Sequence, residues 1–119
     1  MHRRHWKHVV FTQTNDRQVP KSSGVYALLH VKRVDRLPTA TTVLYVGKSN
    51  NLRRRFRTHA DRMQQHSDLL YKLILKHRES LEFWFMELPD KELDQTEREL
   101  IKQISPEGNV ILFSGEFDG

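Results

Sequence analysis

Apolar and polar positions alternate from Gly24 to Val31, which predicts a β-strand. Period two puts Tyr26, Leu28 and His30 on one face and Val25, Ala27, Leu29 and Val31 on the other. A second strand is predicted over roughly Thr42 to Val46, pairing Val43 with Tyr45 and Leu44 with Val46. Asp35, Pro38 and several polar residues make 32–41 a long hairpin loop, so the two strands are expected to be antiparallel neighbours.

After Val46 the period changes. Gly47 turns the chain, Asn50 or Asn51 caps a helix, and Leu52, Phe56, His59, Ala60 and Met63 share one face of it. Arg55 borders that stripe, whereas Arg53, Arg54 and Arg57 point away. Ser67 caps a second helix over roughly 68–78, with Leu69, Leu70, Leu73 and Ile74 as its apolar face.

Leu81 to Leu88 reads as a third strand, with Phe83 and Phe85 on one side and Trp84 and Met86 on the other. Being apolar on both sides, it is expected in the middle of the sheet. Pro89-Asp90 opens the last helix, which ends near Ser105-Pro106. Leu93, Leu100, Ile101 and Ile104 form its buried stripe, and Glu97 falls inside it. Val110 to Phe113 is expected to pack back and 114–119 to fray. Near the start, His8 to Thr12 could add a short strand, followed by a turn at Asn15–Gln18.

The pattern predicts a small α+β domain: a three-stranded antiparallel sheet flanked by helices in the order β-β-α-α-β-α, with a possible extra N-terminal strand. A length of 119 residues bounds it to one domain. Hydrophobic content is low at 37%, but the apolar residues are periodic, which favours one small core over disorder.

Charge narrows the function. Lysine and arginine number 20 against 15 acids, for a net charge of +5 and a pI near 9.7. With the basic run at 53–57, this suits a polyanion, nucleic acid above all. The absence of cysteine excludes disulfides and thiolate metal sites. No apolar run approaches membrane-spanning length, and the basic start lacks the apolar stretch of a signal peptide, so a cytoplasmic location is expected. The histidine-rich start lacks a defined metal-ligand spacing.

Two helices each carry one ionisable group in an otherwise apolar stripe, His59 and Glu97. Two strands each carry a tyrosine, Tyr26 and Tyr45. Packed together, these could share a pocket with Arg55, Lys48 and Asn109. Singly, each has a structural reading; jointly, they have what phosphodiester hydrolysis needs. A buried carboxylate is costly unless paired, and it can hold one Mg²⁺ whose shell waters complete. An arginine can grip non-bridging oxygens. A tyrosine or a histidine can take a proton from the attacking water.

Two short motifs, Gly24-Val25-Tyr26 and Tyr45-Val46-Gly47, make the chain resemble the GIY-YIG nuclease family, with Val where the family name has Ile. Lys48-Ser49-Asn50-Asn51-Leu52-Arg53-Arg54-Arg55 is similar to the segment after the second motif in the nucleotide-excision-repair incision subunit. Glu97, then Leu100-Ile101-Lys102, Pro106 and Asn109, is similar to the family's last motif. The resemblance covers about residues 19–112. It divides the chain into a basic extension at 1–18, a nuclease domain at 19–113 and a tail at 114–119.

By position, the resemblance implies that Glu97 is the metal ligand, Arg55 the phosphate-binding arginine, Tyr26 and Tyr45 the motif tyrosines and Asn109 a stabilising asparagine. His59 falls where relatives place a histidine or tyrosine. Tyr45 and His59 are alternatives for the general base: Tyr45, the favoured one, could act if a neighbour such as Lys48 or His59 lowers its pKa or receives its proton, and His59 could act directly. Arg53, Arg54 and Arg57 are expected to hold flanking phosphates. The implied activity is a Mg²⁺-dependent DNA endonuclease, Mn²⁺ substituting, serving repair, restriction or a mobile element. The alternative is a non-catalytic nucleic-acid-binding module on the same shell. The expected state is a monomer or weak homodimer, with specificity coming from the additions, a dimer or a protein partner. Single-stranded, duplex and branched DNA all stay open.

Overall fold

In the computed structural model, which describes residues 5–60, 72, 74, 76 and 80–106, four strands form one antiparallel sheet. They are β1 (Lys7–Val10), β2 (Gly24–Val34), β3 (Leu37–Ser49) and β4 (Leu81–Glu87), in the spatial order β1-β4-β2-β3. The α+β architecture is as expected, and the N-terminal strand is present. β1 pairs with β4, His8 opposite Trp84, so the sheet has four strands rather than three. β4 lies inside the sheet, as its two apolar faces require.

Each face has its own helix. On one, α1 (Leu52–Ala60) packs with Tyr26, Leu28, Tyr45, Phe83 and Phe85. Phe56 is fully buried, with its ring edge-on to Phe11 and Phe83 at 5.0 Å. Burial of such a ring contributes about 1.5–3 kcal/mol. On the other face, α2 (Asp90–Ile104) covers Val25, Met86, Ala27 and Val46 through Leu93, Leu100 and Ile101. Thr96 is buried on this stripe, while Ile104, expected inside, is exposed where the helix ends at left-handed Ser105. A 3-10 helix (Gln13–Gln18) lies against α1, where a turn had been expected, and leads into fully buried Val19.

Two expectations about the hairpin fail. Residues 32–41 are not a long loop: β2 and β3 continue to a tight turn at Asp35 and Arg36, both left-handed at φ 54° and 71°. Pro38 does not break the strand because β3 is at the sheet edge, where an absent N–H costs no ladder bond. Second, Val43 and Tyr45 do not share a face. Leu28 is opposite Tyr45 and Leu29 opposite Val43, so Leu44 is an extra residue, a β-bulge. The bulge sends both Leu44 and Tyr45 to the α1 side and Val43 to the α2 side.

Of the second predicted helix only residues 72, 74 and 76 are described, and Ile74 is buried against the α1-side core. Met63, Ser67, Asn109, the 110–113 segment and the tail at 114–119 lie outside the described residues.

Candidate active site

Register brings the motif residues together. Gly47 is opposite Tyr26 across β2 and β3. A Cβ at Gly47 would fall on the Tyr26 phenol, so glycine is what lets that ring lie flat over β3. A Cβ at Gly24 would strike the Met86 carbonyl and the Leu52 side chain, so glycine there lets the start of α1 close on the sheet. Each short motif thus has a steric reason independent of chemistry.

The α1 helix then delivers the imidazole. Asn51 caps it, its Oδ1 accepting from the Arg54 N–H at 3.0 Å. Leu52, Phe56 and His59 are its buried residues. His59 Nε2 and Tyr26 Oη share a hydrogen bond of 2.8 Å. The rings of Tyr26, Tyr45 and His59 form a triangle with centroids 6.1, 5.7 and 5.4 Å apart. Tyr45, at 8% exposed, is its most open corner; Tyr26 is 1% exposed and His59 not at all.

Two opposite charges act on this triangle. Burial pushes the Tyr26 phenol well above its ordinary pKa; Tyr45 and Glu97 add to the rise and Arg55 opposes it. Tyr45 is raised in the same way, first by burial and then by Glu97, again against Arg55. The Arg55 guanidinium and the Glu97 carboxylate are therefore both electrostatically coupled to both phenols. What lowers Tyr45 is Arg55, then its hydrogen bond to Tyr26, rather than Lys48 or His59.

Glu97 is half-buried, its side chain 21% exposed. Loss of hydration raises its pKa, and Lys48 and Arg98 pull it back. Lys48 Nζ is 3.9 Å from Glu97 Oε1 and is ion-paired with Asp94, one turn earlier on α2. Asp94 was not singled out in the sequence. Its signal was the three-residue spacing from Glu97, which puts two carboxylates on neighbouring turns.

The outward arginines do different work. Arg53 donates from Nε to the Val19 carbonyl at 2.8 Å and from Nη2 to the Arg17 carbonyl at 3.2 Å, tying α1 to the 3-10 segment. Arg57 donates to Asp16 Oδ2 at 2.6 Å. Arg54 reaches Asn50 Oδ1 at 2.8 Å and is exposed.

Can these residues hold a divalent cation? No group of three or more His, Asp or Glu that could hold a metal gathers among the described residues. What they offer is one partly dehydrated carboxylate, Glu97, beside two phenols. That suits a hard cation that keeps most of its waters and takes few protein oxygens.

With the geometry in place, the sequence profile of the UvrC-like GIY-YIG domain matches residues 22–110. The chain belongs to this family. No curated protein matches it. Its fold is similar to the GIY-YIG N-terminal endonuclease domain of UvrC from Thermotoga maritima. Against the magnesium-bound form the TM-score is 0.55 at 22% identity, over 82% of this chain and 94% of that one. Against a tyrosine-to-phenylalanine mutant bound to the catalytic divalent cation it is 0.56 at 21% identity, over 82% and 93%. In this GIY-YIG domain, Gly24 to Tyr26 and Tyr45 to Gly47 lie side by side on β2 and β3. No helix among the described residues is long and apolar enough to cross a membrane.

Proposed function

We propose that this chain is a metal-dependent endonuclease that hydrolyses DNA phosphodiester bonds, one strand per active site. The observation that carries this is the Tyr26–Tyr45–His59 triangle coupled to a half-buried Glu97 and to Arg55. Family membership and the cation bound by the similar UvrC domains support it.

In this reading Glu97 holds a Mg²⁺ ion, for which Mn²⁺ substitutes. When bound, the ion screens phosphate charge and stabilises the leaving oxygen. Arg55 grips the non-bridging oxygens, whose charge must be met in the transition state. Tyr45 takes the proton of the attacking water, because it is the ring with solvent access. Burial raises its pKa most, and neutralising the Glu97 charge would remove only the further rise that the carboxylate adds. Tyr26 and His59 position Tyr45 from behind, and His59 is too deeply buried to meet water itself. Asn109 stabilises the site, as in the family pattern. Arg54 and Arg57 hold flanking phosphates, and Arg53 adds to the basic surface while holding the helix in place.

The test is nicking of supercoiled plasmid in Mg²⁺ buffer by the whole chain and by Glu97→Gln. Wild-type nicking, lost in the variant while DNA binding persists, is the expected result. Binding without cleavage by wild-type protein, across Mg²⁺ and Mn²⁺, would make the chain a non-catalytic nucleic-acid-binding module instead.

A further inference from the structure

The β2–β3 hairpin outruns the rest of the sheet. The last residue of β2 paired with β4 is His30; beyond it β2 and β3 pair only with each other, from Val31–Thr41 to Val34–Leu37. Every residue from 32 to 42 is exposed. A free two-stranded hairpin is marginally stable in water, yet this one is fastened at its base and along its length. Arg33 donates from Nε and Nη2 to the Glu82 carboxylate at 3.0 and 3.2 Å. Glu82 is buried and is also held by the Trp84 indole at 3.0 Å. Arg33 Nη1 reaches the Arg36 carbonyl at 3.3 Å, and Thr39 Oγ1 donates to the Lys32 carbonyl at 3.0 Å. This is a braced arm.

Its surface is basic and apolar together. With Arg33 paired to Glu82, Lys32 and Arg36 still outnumber Asp35, and the cross-strand pair Val34 and Leu37 shows 57% and 65% of its surface to solvent. The two register shifts place their extra residues on β3, so β2 keeps its alternation. Lys32 and Val34 therefore continue the face of Tyr26. From Leu28, opposite Tyr45, to Val34 the strand rises about 20 Å, the length of about six base pairs of B-DNA. A two-stranded ribbon fits the major groove, about 12 Å wide, and not the minor groove, about 6 Å wide.

Building on the endonuclease reading, we infer that the arm lies in the major groove of duplex DNA, about six base pairs from the bond cut at Tyr45. Lys32 and Arg36 contact phosphates, and Val34 and Leu37 meet base edges, where thymine methyls offer apolar contact. The substrate is then DNA with a double-stranded stretch on one side of the cut, rather than a bare single strand.

The test reads binding by the Glu97→Gln protein to three DNAs: a duplex of about thirty base pairs, a loop-closed duplex of about four, too short to reach from site to arm, and a single strand of about thirty nucleotides. Adding Lys32→Ala and Arg36→Ala lowers affinity for the long duplex about fivefold or more and reduces its salt slope by about two. Adding Leu37→Ser instead weakens long-duplex binding about threefold with the slope unchanged. Neither changes binding to the short duplex or the single strand by more than about twofold. Equal losses on all three DNAs, or none on the long duplex, overturn the arm assignment and leave the endonuclease reading standing. Sedimentation velocity adds one check: if Leu37→Ser dissolves a dimer without affecting DNA, the arm serves self-association and the inference is wrong. If wild-type protein neither nicks plasmid nor binds DNA, both readings fall.

Discussion

Tyr26 Oη and His59 Nε2 are 2.8 Å apart, and neither residue is exposed to solvent. The bond joins β2 to α1 across the core, so it is structural before it is catalytic. Tyr26→Phe removes one partner from a buried imidazole, which costs about 1–3 kcal/mol. His59→Leu takes the same bond from the phenol, which keeps its hydrogen bond with Tyr45. The double variant costs less than the two single losses added, because neither partner is then left behind. Urea unfolding of the four proteins measures this; strict additivity would mean the pair is not coupled.

Tyr45 is the most exposed of the three rings, at 8%, and its pKa is raised. A phenol that is protonated at neutral pH serves as base only in its ionised fraction. The cleavage rate should therefore climb about tenfold per pH unit through neutrality until Tyr45 titrates. Tyr45→Phe should lose about 10²–10⁴ in rate and the climbing limb with it. His59→Ala should keep the limb at a lower rate. A pH–rate profile for each decides it, and a Tyr45→Phe enzyme with wild-type rate and slope would remove Tyr45 from the role.

What the sequence could and could not show follows from whether the cause was local. The faces of β2 and β4, the cap at Asn51 and the placing of His59 and Glu97 on core stripes depend on near neighbours, and alternation or helical spacing reveals them. The Leu44 bulge leaves no local mark, yet it sets the face of Tyr45. Pro38 and Asp35 read as loop-formers because nothing nearby says that β3 is an edge strand. Helical spacing sends Arg53 outward, but its acceptors are the Val19 and Arg17 carbonyls, brought there by the fold. Asp94 gains meaning only once Lys48, far back on β3, is seen to reach it.

That difference among the arginines is measurable. Arg53→Ala takes donors from two backbone carbonyls and should destabilise the domain by about 1–3 kcal/mol. Arg54→Ala, on an exposed side chain, should leave stability within about 0.5 kcal/mol. It should instead weaken DNA binding on all sequences alike and lower the salt slope by about one. Thermal unfolding and salt-dependent binding separate the two, and a reversal of these phenotypes would contradict the hydrogen bonds seen here.

Glu97 works against the fold that holds it. Its folded pKa is raised above the unfolded value of 4.5, chiefly by burial. Its charge is therefore a cost, fully present above the raised pKa and absent below the unfolded one. Glu97→Gln should be more stable than wild type at neutral pH without added divalent cation. The advantage should shrink as pH falls through the raised pKa towards 4.5. Mg²⁺ should narrow the gap by stabilising only the wild type. Thermal melts over this pH range, with and without Mg²⁺, test each part; a variant less stable at neutral pH would show that Glu97 is a structural partner first.

Lys48 stands between two carboxylates on α2, Asp94 and Glu97. The ammonium is ion-paired with Asp94, whose side chain is 68% exposed, and 3.9 Å from Glu97. On the proposed reading, a divalent cation arriving at Glu97 would meet this ammonium as a competitor, which the ion pair with Asp94 holds aside. Asp94→Asn should leave Lys48 paired with Glu97 alone and weaken Mn²⁺ binding about fivefold, the scale of one exposed ion pair of about 1 kcal/mol. Lys48→Met should tighten Mn²⁺ binding, and in that background Asp94→Asn should change it by less than about twofold. Manganese titration followed by electron paramagnetic resonance gives all four affinities without reference to cleavage. If Asp94→Asn costs the same with and without Lys48, then Asp94 acts on the cation directly, and the lysine between the two carboxylates is incidental.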